Sequence, residues 1–176
     1  MKYFLHCLVL LVLAVPLVAQ HRMGRDPLAP AEADKLRDTA MQPNLRLKLY
    51  VEFARARMTS IDQLLADPKV KNKSEQLHDL LEDFSTLIDE IADNVEMFHD
   101  QHWDIRKSLK LVIEGDSEFQ LKLRTLAEST SADAESYKFV VKDALESLNT
   151  NADDARHAMQ EQNALAKDKK LKKEED

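Results

Sequence analysis

The chain reads as an all-α protein, an antiparallel bundle of three or four long amphipathic helices with coiled-coil-like packing. Three observations predict this. Apolar residues recur at alternating spacings of three and four along most of the sequence. Only Gly24 and Gly115 supply glycine, and no proline follows Pro68, so long stretches contain no strong helix breaker. Beyond residue 20, Val, Ile and Thr together make 17 of 156 residues, too few for a β-sandwich or barrel.

The amino terminus belongs to a different class. Sixteen of the first 20 residues are apolar, and Lys2 carries their only charge. A short positive start, an apolar run and the small residue Ala19 describe a secretory signal over residues 1–20. The alternative, an uncleaved anchor, has to explain a run broken by Pro16 and shorter than the about 20 residues that span a bilayer. The single cysteine, Cys7, lies within this run. The remaining 156 residues therefore exclude a disulfide-stapled fold, and an exported chain of that kind suits a bacterial periplasm or the exterior.

Residues 21–30 read as a flexible leader, 31–162 as the helical domain and 163–176 as a charged, disordered tail. A short helix from Ala31 to Met41 meets Pro43. Next comes a seam of Leu47, Val51, Ala54, Met58, Ile61 and Leu65, which stops at Asp67-Pro68 because the residue before proline is pushed out of the helical region. Lys69 to Lys73 is a turn. Leu77, Leu81, Phe84, Ile88, Ile91, Val95, Phe98, His102, Ile105, Leu109 and Val112 then hold a heptad phase without a slip. That continuity favours one helix from about Ser74 to Ile113, with Gly115 as a cap and Asp116 or Ser117 starting the next helix. A four-helix alternative breaks instead near His99–His102 and near Glu128–Asp133. Leu80 and Leu87 widen the seam, which suits a helix with two neighbours. The last seam runs through Tyr137, Val141, Ala144, Leu148, Ala152, Ala155 and Met159. The aromatic residues, including Trp103, Phe119 and Phe139, read as core.

Charge is the most informative chemistry. Residues 21–176 hold 24 Lys and Arg against 32 Asp and Glu, a net charge of −8, which argues against a nucleic-acid partner. Nine carboxylates (Glu75, Asp79, Glu82, Asp83, Asp89, Glu90, Asp93, Glu96 and Asp100) fall between Ser74 and Asp100 with no Lys or Arg among them. The heptad frame places all nine away from the seam, as a solvated face or as a strip for cations or a basic partner. Residues Asp89 to Glu96 resemble the helical acidic segments of phosphate-uptake regulators, over too short a stretch to assign that family.

His99 and His102, with Glu96 and Asp100 beside them, form the candidate metal cluster, which needs a further ligand from another helix. Glu75-x-x-His78 and Glu96-x-x-His99 have the spacing used in di-iron bundles, but they lie on one helix facing outward and cannot share an ion. No Gly-rich phosphate loop, haem attachment motif or nucleophile elbow occurs, so neither catalysis nor a cofactor is expected. The expectation is a non-enzymatic interaction or structural module of the cell envelope with a protein partner, for which membrane contact is not required. A periplasmic metal-binding protein and an ATP-independent chaperone are the alternatives.

Overall fold

The computed structural model describes residues 26–129 and 134–175, with side chains to residue 168. The expected signal peptide lies outside the described residues, as do residues 130–133. Among the described residues there are five helices and no strand: α1 (Pro30–Arg37), α2 (Pro43–Ala66), α3 (Lys73–Asp100), α4 (Arg106–Ala127) and α5 (Ala134–Glu175). None is long and apolar enough to cross a membrane.

The apolar seams close on one core. Leu47, Val51, Ala54, Met58 and Ile61 of α2 are buried, as are Leu77, Leu81, Phe84, Leu87, Ile88 and Ile91 of α3. At the end of α2 the buried residue is Leu64, while Leu65 is exposed, because a straight helix drifts relative to a strict heptad. Phe84 meets Phe119 of α4 edge-on, their centroids 5.3 Å apart. Phe139, expected in the core, is 79% exposed; it lies opposite the Tyr137–Val141 stripe that α5 buries.

α3 packs against α2 and α5, and α4 against α5 and α2. The bonds Arg46–Asn94 and Tyr50–Glu90 show α2 and α3 running in opposite senses. Asp116–Asn151 and Gln120–Asn149 show the same for α4 and α5. In contrast, Asn44–Ser108 and Arg55–Glu118 make α2 and α4 parallel, and Ser74–Ser136 and His99–Glu161 make α3 and α5 parallel. The chain leaving α3 settles against α2 and α5, so adjacent helices run in both senses.

The predicted continuous helix from Ser74 to Ile113 does not occur. The chain breaks at 101–105 and α4 runs without interruption past Gly115. Phe98 and Ile105 keep the heptad phase and are both buried, but a loop of matching length returns Ile105 to the core as well as two helical turns would. His102, expected on the seam, is exposed and adopts a left-handed backbone with φ 60°. Its amide donates to the His99 carbonyl, and the Trp103 amide donates to that of Phe98. This is the Schellman pattern, with histidine where glycine is usual. Gly115 serves a close approach instead of a cap: a Cβ there would come within 3.1 Å of Val51 Cγ1.

Two features extend the fold beyond the sequence expectation. Arg57 of α2 donates to Glu32 and to the Pro27 carbonyl, holding residues that read as a flexible leader. α5 continues to Glu175, past the point where its apolar period fades, since Ala, Lys, Leu and Glu are strong helix formers without a core to direct them.

Candidate functional site

The loop 101–105 is assembled from other helices. Asn44 of α2 donates to the Asp104 carbonyl at 2.8 Å and accepts from the amide and hydroxyl of Ser108, so it caps α4 from outside. Gln162 of α5, buried, accepts from the Ile105 amide at 3.1 Å and donates to the Trp103 carbonyl at 2.9 Å. Asp104 forms a two-pronged pair with Arg106, whose guanidinium holds that carboxyl down at about 2. Between this loop and the far part of α5 lies an open cavity of about 720 Å³, lined by residues including His99, His102, Trp103, Glu161 and Leu165.

The candidate metal ligands separate here. His99 is half-buried at the end of α3, and its Nε2 lies 2.8 Å from Glu161 Oε2 on α5. His102 reaches the same cavity from the loop, while Glu96 and Asp100 are exposed and do not line it. The cross-helix carboxylate is therefore Glu161. A second imidazole, His157, places Nδ1 3.7 Å from the same Glu161 oxygen. Sequence reasoning could pair His157 with Glu161 by their i, i+4 spacing on one helix face, but not with His99.

A different chemistry occupies the middle of the α3–α5 contact. Asp89, Asp143, Glu146, Ser147 and Thr150 line a groove of about 330 Å³ that contains no lysine or arginine. Burial raises the Asp89 carboxyl above its ordinary value; a Ser147 hydrogen bond opposes this, and the charges of Asp93, Asp143 and Glu90 reinforce it. Glu90, on the other flank of α3, accepts from Tyr50 at 3.0 Å, and burial followed by the Glu90 charge pushes that phenol up to about 12. Glu90, half-buried, thus flanks the core, where the heptad frame had set it facing away, while Asp89 stays exposed at the rim of the groove. Because α3 is covered on two sides, its interhelical borders reach positions that a single seam assigns to solvent.

Behind the groove, Asn151 turns inward to Asp116 of α4. Both are buried, and Asn151 Nδ2 lies 3.1 Å from each Asp116 oxygen. Asn151 Oδ1 has no partner. Burial pushes the Asp116 carboxyl up to about 7, against the opposing Asn151 hydrogen bond and the Arg156 charge. No family model, curated protein or solved structure matches the chain.

Proposed function

We propose that this is an exported four-helix bundle that acts without catalysis, holding a basic segment of a protein partner along the α3–α5 groove. The observation that carries this reading is the lining of that groove, where Asp89, Asp143 and Glu146 meet from two helices with no lysine or arginine among them. Like charges from α3 and α5 crowd the Asp89 carboxylate, and a lysine or arginine from outside relieves that crowding. The apolar, singly charged segment at residues 1–20 supports export, and the net negative charge opposes nucleic acid.

The reading is tested by capture from envelope fractions with the wild-type chain and with a triple variant, Asp89→Lys, Asp143→Lys, Glu146→Lys. All three positions carry exposed side chains, so the variant is expected to fold, which circular dichroism checks. The expected result is a partner retained by the wild type, released by salt and lost from the variant. Retention of the same proteins by both forms would overturn the reading. A chaperone acting through apolar contact would suppress aggregation of a model protein equally with either form.

A further inference from the structure

The cluster at the end of α3 carries an inference that does not depend on the partner reading. Two imidazoles from different helices converge on one carboxylate oxygen: His99 Nε2 at 2.8 Å and His157 Nδ1 at 3.7 Å from Glu161 Oε2. Ligand atoms around a tetrahedral zinc ion, each about 2.0–2.1 Å from the metal, stand about 3.3–3.4 Å from one another, so these two separations bracket what the ion requires. The remaining edge, between the imidazoles, is longer than 4.8 Å, and an ion has to draw His157, whose side chain is 71% exposed, toward His99. His99 and Glu161 also line the open cavity beneath the loop, which leaves room for water at the fourth position.

We infer that His99, His157 and Glu161 form a site for a borderline divalent cation, zinc foremost, joining the end of α3 to α5. Two imidazoles and one carboxylate favour zinc over calcium or magnesium, which prefer all-oxygen shells. The Nδ1 atom of His99 is buried without a partner. When Nε2 takes the metal, the ring proton moves to Nδ1 and finds no acceptor. Loss of such an outer contact weakens metal sites by roughly 10–100-fold.

Among the described residues, the set whose ligand atoms already stand close together lies elsewhere. His78, Asp79 and Glu82 bring ligand atoms within 4.8 Å of one another. All three come from one helix, only one is an imidazole, and Asp79 has another interaction, which makes this set the poorer zinc ligand and the natural control. The test is calorimetric titration of the full, untagged chain with zinc sulfate. One equivalent is expected to bind, His99→Ala and His157→Ala each weakening it by at least about tenfold while His78→Ala leaves it unchanged. Because His157 is exposed, its variant keeps the fold and separates loss of a ligand from loss of structure. No stoichiometric uptake, undiminished binding by His157→Ala, or loss only in His78→Ala would each overturn the assignment.

Discussion

Replacing Asp116 by asparagine tests the physical account where it is most exacting. The carboxyl is 1% exposed, and its nearest donor is the Asn151 amide. Burial raises its pKa from the ordinary 3.8 to about 7. Below the unfolded value both states hold the proton, and this group adds no pH dependence. Between the two values the folded chain keeps the proton while the unfolded chain releases it, so stability falls as pH rises, by about 1.4 kcal/mol per unit. Above the folded value both states are ionised and the loss levels off, at a total on the order of 4 kcal/mol. Asp116→Asn removes the ionisation and keeps the shape. Its added amide can also donate to the unpartnered Asn151 Oδ1. Urea denaturation followed by circular dichroism, with the variant compared to the wild type at each pH, cancels the titration of all other groups. The variant is expected to match the wild type within about 1 kcal/mol near pH 4 and to exceed it by several kcal/mol near pH 8. Parallel pH profiles, or a variant less stable at alkaline pH, would refute the reasoning.

Two further outcomes follow from the loop. Gln162→Leu leaves the Ile105 amide and the Trp103 carbonyl without the partner that α5 supplies, and is expected to cost about 2–4 kcal/mol in urea denaturation with faster hydrogen exchange at Ile105. His102→Gly relieves the left-handed backbone and is expected to stabilise the chain by about 1 kcal/mol. Zinc affinity in that variant stays at the wild-type value, since His102 is not one of the three inferred ligands.

The helical class and most of the core were legible because burial writes a period into the sequence. Leu47 to Ile61, Leu77 to Phe98 and Tyr137 to Ala155 show it directly. The break at 101–105 was legible only as the four-helix alternative near His99–His102, because its length preserves the phase between Phe98 and Ile105 and made one continuous helix the favoured reading. The residues that shape that loop, Asn44 and Gln162, act from positions about sixty residues away in the chain, a separation that local pattern cannot bridge. Asp116 read as a helix start because an acidic residue after glycine usually is one; its burial depends on how α4 meets α5. His99 was identifiable as a candidate ligand by type, but Glu161 and His157 become its neighbours only through the parallel pairing of α3 with α5. The acidity of α3 was plain, whereas the pressure on Asp89 comes in part from Asp143, a residue on another helix.

The central claim is that the α3–α5 groove receives a basic segment. Its most direct test is amide chemical-shift mapping of the isotopically labelled full chain as the captured partner is added. The account predicts that the largest changes cluster at Asp89, Ala92, Asp143, Glu146 and Thr150, and that they vanish at high salt. A footprint centred on Trp103 and Leu165, or one indifferent to salt, would contradict it.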